Sequence, residues 1–347
     1  MKIAIVRLSS LGDIIFCMAA LQVIRHHRPD SEITWFADAK FADILDHNPD
    51  LKHVIKIDLK RLKKDFSFSG LKREYGRLLE WGKFDVAIDL HGMIKSAVIS
   101  RITAGKATCG FHPRTAKEPL TNLLYGTTFD IPLDMNTVYR YASLAARSLD
   151  IPLSEEELIH KRPFLFYGED DAAFTREYFC KDRKNIVLVV GSTWESRNYP
   201  KEKFVTIANA LQGNTLICYG NEAELQTARY IQERSPHVRI LPRMNLNQLK
   251  AAISRADLVI GGDTGPTHIA WANNIPCIVI FGPTPAHRIY AGATCRIIKS
   301  SSPVDDRKLD QNDFSIREIP EAQVIDLARE LLADVTTPSL GGSSNVP

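Results

Sequence analysis

The sequence lacks the features that mark several large classes of protein. It has no CxxC pair, which argues against a zinc ribbon. No apolar run reaches the roughly 18 residues that a membrane span needs. The N-terminal apolar run breaks at Arg7 and has no small-residue cleavage site, unlike a secretory signal. These absences predict a cytoplasmic protein whose six scattered cysteines stay reduced: Cys17, Cys109, Cys180, Cys218, Cys277 and Cys295.

Three further absences concern ligands. The chain has no GxGxxG, the turn of a standard dinucleotide-binding domain. It has no DxD pair or histidine cluster in a convincing metal-binding position, so we expect neither a required metal nor a cofactor. Its 44 Lys and Arg against 41 Asp and Glu give a formal net charge of +3, too small to suggest nucleic-acid binding.

What is present is an alternation of strand and helix patterns over 347 residues, more than one core usually serves. Several strands are apolar at consecutive positions, as in parallel sheets covered on both faces. The candidate strands are KIAIVRL, EITWFAD, HVIKIDL, FDVAIDL, NIVLVVG, NTLICYG, VRILP, DLVIGGD and PCIVIFG. This pattern predicts an α/β protein with two doubly wound, Rossmann-like domains facing a central cleft.

A change in composition near residues 150–185 separates the two halves. We expect a first domain over 1–165 and a second over 166–335. The last helix, IPEAQVIDLARELLADV, belongs to the second domain but is a candidate to pack back on the first. The Gly, Ser and Pro-rich tail over 336–347 is predicted to be disordered. Ligands of open α/β sheets bind beyond the carboxyl ends of strands, so the loops there are the candidate sites.

The first such loop is SSLGD, between strand KIAIVRL and a largely buried helix. Gly12 permits a tight turn, and Ser10 offers a hydroxyl near the helix start. Asp13 is the only carboxylate in the first 29 residues. It has two interpretations, a helix cap or a general base that accepts a proton from an attacking hydroxyl.

The second loop is GGDTGPTH, where Pro266 suits a first helical turn. Backbone amides there, with the hydroxyls of Thr264 and Thr267, form an anion site suited to a diphosphate. Asp263 is a ligand for sugar hydroxyls or a cap. His268 is a phosphate contact or a structural histidine.

Three more strand ends carry polar or flexible side chains. GSTWESRNYP places Ser192, Thr193 and Arg197 in one loop, and hydroxyls with a cation suit phosphate. Glu224, after NTLICYG, would bind ribose hydroxyls or favour a helix dipole. Met244 would pack on an adenine or fill a gap in the core.

Together these segments resemble the lipopolysaccharide heptosyltransferases, inverting glycosyltransferases of family 9 with the GT-B fold. SSLGD and DTGPTH carry most of the resemblance, and AIDLHGMIKSA, TAKEPL, GNEAE, LPRMNL and FGPT extend it. KRLKK and TAKEPL point to the members that add the first heptose. The resemblance implies transfer of L-glycero-D-manno-heptose from ADP-heptose to a Kdo sugar of Kdo-lipid A.

The resemblance also assigns roles to residues. Asp13 falls on the family's catalytic base. Donor-binding positions are Ser10, Gly12, Ser192, Thr193, Arg197, Glu224, Met244, Asp263, Thr264, Gly265 and His268. A basic group expected to engage the anionic acceptor comprises Lys60, Arg61, Lys63, Lys64 and Lys117. The family often has Lys where this chain has Arg197, and the two cations differ in geometry.

The acceptor and the basic run Lys60–Lys64 predict peripheral attachment to the cytoplasmic face of the inner membrane. We also expect a monomer. Three alternatives stay open. A related transferase would add a second heptose or another sugar. A nicotinamide-dependent oxidoreductase fits two α/β halves but not the missing GxGxxG. A two-lobed binding protein would leave Asp13 without a purpose.

Overall fold

The computed structural model describes residues 1–64, 68–306 and 308–334. The chain divides into two compact units, Met1–Lys161 and Arg162–Pro347, the second described as far as residue 334. The predicted disordered tail over 336–347 thus lies outside the described residues. None of the described helices is long and apolar enough to pass through a membrane.

The first unit is a parallel six-stranded sheet with helices between its strands. The strand order is β3-β2-β1-β4-β5-β6, and every neighbouring pair is parallel. The strands are β1 (Lys2–Val6), β2 (Glu32–Asp38), β3 (His53–Ile57), β4 (Phe84–Asp89), β5 (Ala104–Phe111) and β6 (Thr127–Phe129). The helices are α1 (Leu11–His27), α2 (Leu59–Lys64), α3 (Phe68–Glu80), α4 (Ile94–Thr103), α5 (Thr137–Leu149) and α6 (Glu155–Ile159).

The second unit repeats this plan. Its strand order is β12-β11-β10-β7-β8-β9, again parallel throughout. The strands are β7 (Asn185–Val189), β8 (Asn214–Cys218), β9 (Val238–Ile240), β10 (Leu258–Gly262), β11 (Cys277–Phe281) and β12 (Cys295–Lys299). The helices are α7 (Glu169–Phe174), α8 (Lys201–Leu211), α9 (Glu222–Gln232), α10 (Leu246–Ile253), α11 (Gly265–Ala272) and α12 (Glu321–Asp334). The last of these packs against α8, β10 and β11 of its own unit.

The cores follow from the apolar patterns. Every residue of β7, β8, β10 and β11 is buried, because helices cover both faces of the sheet. Helix α1 is buried along Asp13–Leu21 and packs against α5, which confirms a largely buried helix after the first strand. The prediction of an α/β protein with doubly wound sheets is likewise confirmed.

Each sheet has a point where the strand order reverses. In the first unit the chain leaves β1 toward β2 and β3, but leaves β4 toward β5 and β6. In the second unit β10 and β7 are the corresponding pair. Ligands of doubly wound sheets bind in the crevice that opens at such a point, outside the carboxyl ends of the two strands. The loops that follow these four strands are therefore where the sites are expected.

Candidate active site

Asp13 lies in the first turn of α1, just after β1. Its Oδ2 accepts hydrogen bonds from Ser10 Oγ at 2.9 Å and from Ser10 N at 3.4 Å. Its Oδ1 accepts one from the Tyr141 hydroxyl at 3.3 Å. The residue is only 8% exposed. The carboxylate therefore helps to fix the start of its helix and also lies where the strand order reverses. Its position is compatible with both a capping role and a catalytic role.

A buried arginine compensates the charge of Asp13. Arg7 Nη2 lies 2.7 Å from Asp13 Oδ2, and Nη1 donates to Leu90 O at 2.6 Å, which ties the end of β1 to the end of β4. Burial lowers the pKa of Arg7, but the charge and hydrogen bond of Asp13, together with Tyr141 and Cys17, outweigh it and the net shift is upward. The paired guanidinium favours the ionised carboxylate, the form that can accept a proton.

The loop after β4 adds a neutral histidine. Leu8 N donates to His91 Nδ1 at 3.2 Å, so the ring hydrogen is assigned to Nε2. Burial, with the charges of Arg7 and Lys117, lowers the pKa of His91 to about 2. Buried Asp89 fixes the loop, accepting from His91 N at 2.8 Å and from the Tyr125 hydroxyl at 2.6 Å. His91 is thus held in its neutral form, with Nε2 facing Met93 Sδ at 3.0 Å.

Two more cations surround this group. Arg140, on α5, stacks over the Phe111 ring at 3.9 Å, and burial lowers its pKa. Lys117, on the loop after β5, is exposed, and its charge helps to lower the pKa of His91. With Arg7 they are three cations in a group that holds two buried carboxylates. The positive surplus suits an acceptor that is itself an anion carrying hydroxyl groups.

The basic run lies further out along the same edge of the sheet. Lys60 and Arg61 are exposed on α2, which follows the outer strand β3. Two strand spacings separate β3 from β1, roughly 10 Å. Lys63 and Lys64 belong to the same helix, but their side chains lie outside the described part of the chain. The structure thus places Lys117 beside the Asp13 group and Lys60 and Arg61 on its periphery.

In the second unit the charged centre is Asp263, directly after β10. Its Oδ1 is 2.9 Å from His268 Nε2 and 3.7 Å from Arg288 Nε, and its Oδ2 is 3.1 Å from Arg197 Nη1. Burial raises the pKa of Asp263, but Arg288, His268 and Arg197 together bring it well below its usual range. The Asp263 carboxylate thus contacts two arginines and a histidine. Two guanidinium charges against one carboxylate leave the cluster with a net positive charge.

These cations lie beside the start of an eight-residue helix. Thr264 is the N-cap of α11, and Gly265 and Pro266 are its first residues. The first N–H groups of a helix have no partner within it and carry the positive end of its dipole. Gly262 permits close packing here, since a Cβ on it would lie 2.9 Å from Arg197 O. The arrangement is an anion site of the kind that holds phosphates.

The loop after β7 positions Arg197. The guanidinium donates to Asp263 O and to Thr193 Oγ1, at 3.1 and 3.0 Å, and stacks 4.4 Å from the Trp194 ring. Ser192 is held by its own turn, since its Oγ donates to Trp194 O at 3.0 Å. Asp263, Thr193 and the Trp194 ring therefore hold the Arg197 guanidinium in one orientation.

The remaining predicted donor residues follow the next strands in order. Glu224, after β8, accepts from Gly220 N at 2.6 Å and Asn221 Nδ2 at 2.7 Å, and it packs over Gly191. Met244 follows β9 and is partly exposed. The strand ends β10, β7, β8 and β9 are consecutive neighbours, spanning roughly 14 Å. The candidate phosphate, ribose and base ligands therefore follow one line along the sheet.

Among the described residues, one group of histidine and carboxylate side chains lies close enough together for a metal ion. It consists of His26, His27 and Glu157, whose ligand atoms lie within 4.8 Å of one another. The histidines end the 17-residue α1, about 20 Å along the helix from Asp13. The group is therefore remote from the Asp13 cluster.

Several members of these clusters were not predicted from the sequence. The sequence pattern marks two of them. Arg7 interrupts the first apolar run, and His91 is a polar residue in the loop after β4. No sequence pattern marks Arg140, Tyr141 or Arg288, because their only link to the sites is proximity across the fold.

The sequence profile described as Glycosyltransferase family 9 (heptosyltransferase) matches residues 46–308 of the chain. A lipopolysaccharide heptosyltransferase 1 of Campylobacter coli is 32% identical over 349 residues, covering 96% of this chain and 100% of that protein. Lipopolysaccharide heptosyltransferase 1 of Escherichia coli K12 is 26% identical, over 82% of this chain and 88% of that protein.

Solved structures resemble the fold as well. The E. coli heptosyltransferase WaaC with ADP superposes with a TM-score of 0.77 at 22% identity, covering 95% of this chain and 100% of that one. A family 9 glycosyl transferase of Veillonella parvula gives 0.81 at 21% identity, covering 96% and 97%. These likenesses confirm the predicted GT-B fold class, with two Rossmann-like units.

Proposed function

The chain belongs to glycosyltransferase family 9, the heptosyltransferases, and from that membership we propose its reaction. It transfers L-glycero-D-manno-heptose from ADP-heptose to Kdo of Kdo-lipid A, a step in building the lipopolysaccharide inner core. The 32% identical relative is named for the first heptosyltransferase activity, which supports this acceptor over a heptosylated one.

The observation that carries the proposal is the environment of Asp13. A buried carboxylate lies where the strand order reverses, 2.7 Å from the buried Arg7, in a group with more cations than carboxylates. A carboxylate kept ionised in such a place is suited to take a proton from a bound hydroxyl.

The donor is assigned to the second unit. Arg197, Arg288 and the amides at the start of α11 would hold the diphosphate, with Thr193 and Thr264 beside them. Glu224 would bind the ribose hydroxyls and Met244 the adenine face. The order of these groups along β10, β7, β8 and β9 supports an ADP moiety laid across the strand ends.

The acceptor is assigned to the first unit. Arg140 and Lys117 would hold the carboxylate of Kdo, while the fully buried Arg7 stays paired with Asp13. Lys60, Arg61, Lys63 and Lys64 would meet phosphates further from the reacting hydroxyl. Because such an acceptor is anchored in lipid, the protein would work at the cytoplasmic face of the inner membrane. We propose that it does so as a monomer.

The transfer itself is an inverting displacement. The acceptor hydroxyl oxygen forms a bond to the anomeric carbon as the bond to the diphosphate oxygen breaks on the opposite face. Asp13 takes the hydroxyl proton. The negative charge that develops on the departing ADP is stabilised by the α11 amides, Arg197 and Arg288, which are already in place before the reaction.

The test is mass spectrometry of Kdo-lipid A incubated with ADP-heptose and enzyme. The wild type adds the mass of one heptose. Asp13→Asn, which keeps the shape of the side chain, lowers the rate by about 10²–10⁴. Asp30→Asn, at an exposed carboxylate beyond α1, is the matched control and keeps the wild-type rate.

Each part of the proposal has its own contradicting result. A wild-type rate in Asp13→Asn refutes the assignment of the base. If the enzyme instead adds no mass to Kdo-lipid A but adds one heptose to an acceptor that already carries a heptose, it catalyses the second transfer and not the first.

A further inference from the structure

Four exposed aliphatic side chains gather on one face of the first unit. Leu120 and Leu123, three residues apart on the 3-10 turn Pro119–Leu124, are 66% and 78% exposed. Ile94 and Val98, one turn apart on α4, are 45% and 40% exposed. We call these four residues the apolar patch. Proteins seldom leave such side chains together in water without a partner.

The two elements of the patch form one surface. Helix α4 packs against the 3-10 turn, and Glu118 Oε2 accepts from Ile94 N at 2.7 Å. Residues three apart on a 3-10 helix and four apart on an α-helix project from the same side. The aliphatic side chains therefore belong to neighbouring elements that are fixed to each other.

The segment that carries the patch has more cations than acids. Between Asp89 and Asp130 the chain has five exposed cations and a single acid, Glu118, which is occupied with the start of α4. Lys106 is paired with Asp85 at 2.7 Å, and Arg114 lies 3.9 Å from Asp130. The positive surplus beside the patch therefore comes from Lys95, Arg101 and Lys117.

We infer that the apolar patch inserts into the surface of an anionic phospholipid bilayer, with the flanking cations lying against the lipid headgroups. Aliphatic side chains ringed by Lys and Arg are the pattern of proteins that bind at a membrane interface. Protein interfaces are depleted in Lys, whereas Lys95 directly follows Ile94 of the patch. Self-association would bring two cationic surfaces together, whereas an anionic bilayer complements them.

The patch also adjoins the Asp13 group. Glu118 N donates to Gly92 O at 3.1 Å, and a Cβ on Gly92 would lie 3.6 Å from Lys117 N. Gly92 follows His91, whose Nδ1 accepts from Leu8 N in the loop before Asp13. This inference rests on the proposed function for its purpose, since the acceptor is itself anchored in lipid. Docking of the apolar patch on the bilayer would bring Asp13, the proposed base, close to the lipid headgroups.

The test compares full-length variants in vesicle sedimentation. Leu120→Ser/Leu123→Ser removes the two most exposed members. Ile159→Ser/Phe174→Ser, at exposed apolar residues elsewhere, is the matched control. With vesicles of phosphatidylethanolamine and phosphatidylglycerol, we expect the patch variant to lose about tenfold in partitioning per leucine, and the control to match the wild type. Circular dichroism and the thermal midpoint confirm that both fold.

Activity then separates this inference from the proposed function. The patch variant should be slow with Kdo-lipid A in vesicles but match the wild type with a water-soluble Kdo acceptor that lacks acyl chains. Wild-type sedimentation of the patch variant overturns the inference. So does light scattering in which the wild type self-associates and the patch variant does not. A wild type inactive on both acceptors would instead refute the proposed reaction, while the sedimentation result would still stand.

Discussion

At the scale of single residues, Arg197 shows how geometry adds to charge. Its guanidinium meets Asp263 O, Asp263 Oδ2 and Thr193 Oγ1 at once, which a lysine ammonium on a flexible stem does not reproduce. Replacing it by Ala also leaves the buried Asp263 with one cation fewer. The residue is therefore both a candidate diphosphate ligand and a positioning group for the carboxylate.

We expect Arg197→Ala to weaken ADP binding about 10–100-fold, the value of a charge-assisted hydrogen bond of about 1.5–3 kcal/mol. The ADP affinity of Arg197→Lys should lie between those of the wild type and Arg197→Ala, because lysine keeps the charge but loses the paired N–H groups of the guanidinium. Isothermal titration of ADP measures both. Arg176→Lys, on the surface near Glu169, is the control. Equal affinities for all variants would show that Arg197 does not contact the donor.

His91 makes a prediction about stability and pH. Its pKa is about 2 in the folded protein and about 6.5 when unfolded. Below pH 6.5 the unfolded chain takes up a proton that the folded one does not, so this residue lowers stability as the pH falls. Between pH 7 and pH 5 the loss is about 2 kcal/mol.

Urea unfolding at the two pH values tests this. His91→Gln keeps an acceptor for Leu8 N but does not titrate, so its stability should fall by about 2 kcal/mol less than that of the wild type. His53→Gln, at an exposed histidine, should behave as the wild type does. The same pH dependence in His91→Gln would mean that His91 is not buried in its neutral form.

The residues also mark the limit of inference from sequence. Asp13 and Asp263 could be found because each follows a strand, and the position after a strand is visible in the pattern. The Tyr141 hydroxyl reaches Asp13 across 128 residues of chain. Arg288 reaches Asp263 from another loop. No local pattern encodes such contacts, since they depend on how helices pack on the sheet.

At the scale of elements, the strongest patterns were the most reliable. All nine predicted strands are strands in the structure, and seven of them have at least three consecutive apolar residues. Three described strands were not predicted, β5, β6 and β12. β5 contains Gly and Lys near its start, β6 has only three residues, and Arg and Lys interrupt β12. Polar residues or short length weaken the apolar pattern of these strands.

The packing of α9 against the loop after β7 provides a prediction at this scale. A Cβ on Gly191 would lie 2.3 Å from Glu224 Cγ, so Gly191→Ala must displace the candidate ribose ligand. We expect weaker ADP binding and a loss of about 1–3 kcal/mol in stability from overpacking. Gly292→Ala, where no atom lies within 4 Å, should change neither quantity. Unchanged ADP affinity in Gly191→Ala would remove Glu224 from the donor site.

At the scale of the whole molecule, the proposed chemistry is divided between two units of the same design. The proposed donor ligands come from the segments that follow β7 to β11, whereas the proposed acceptor ligands come from the first unit, in the segments after β3 and β5 and on α5. Sequence patterns gave both sheets and most of these loops, because parallel strands and their polar ends recur along the chain.

Hydrogen exchange measured by mass spectrometry tests this division. ADP at about a hundred times its Kd stabilises the species that binds it by about 2.7 kcal/mol. We expect the slowed amides to lie in peptides covering 190–198, 219–225 and 262–268. A soluble Kdo acceptor should instead slow those covering 7–14 and 90–94. Protection by ADP confined to the first unit would reverse the assignment.

The shared strand order has a consequence for how such enzymes can diversify. If the proposed ribose and base ligands follow β8 and β9, apart from the diphosphate ligands after β10 and β7, nucleoside choice would be encoded in two short segments at one margin of a sheet. Grafting those segments from a transferase that uses a different nucleotide would redirect donor preference, while Asp13 and its buried arginine, on a separate sheet, would keep their partners.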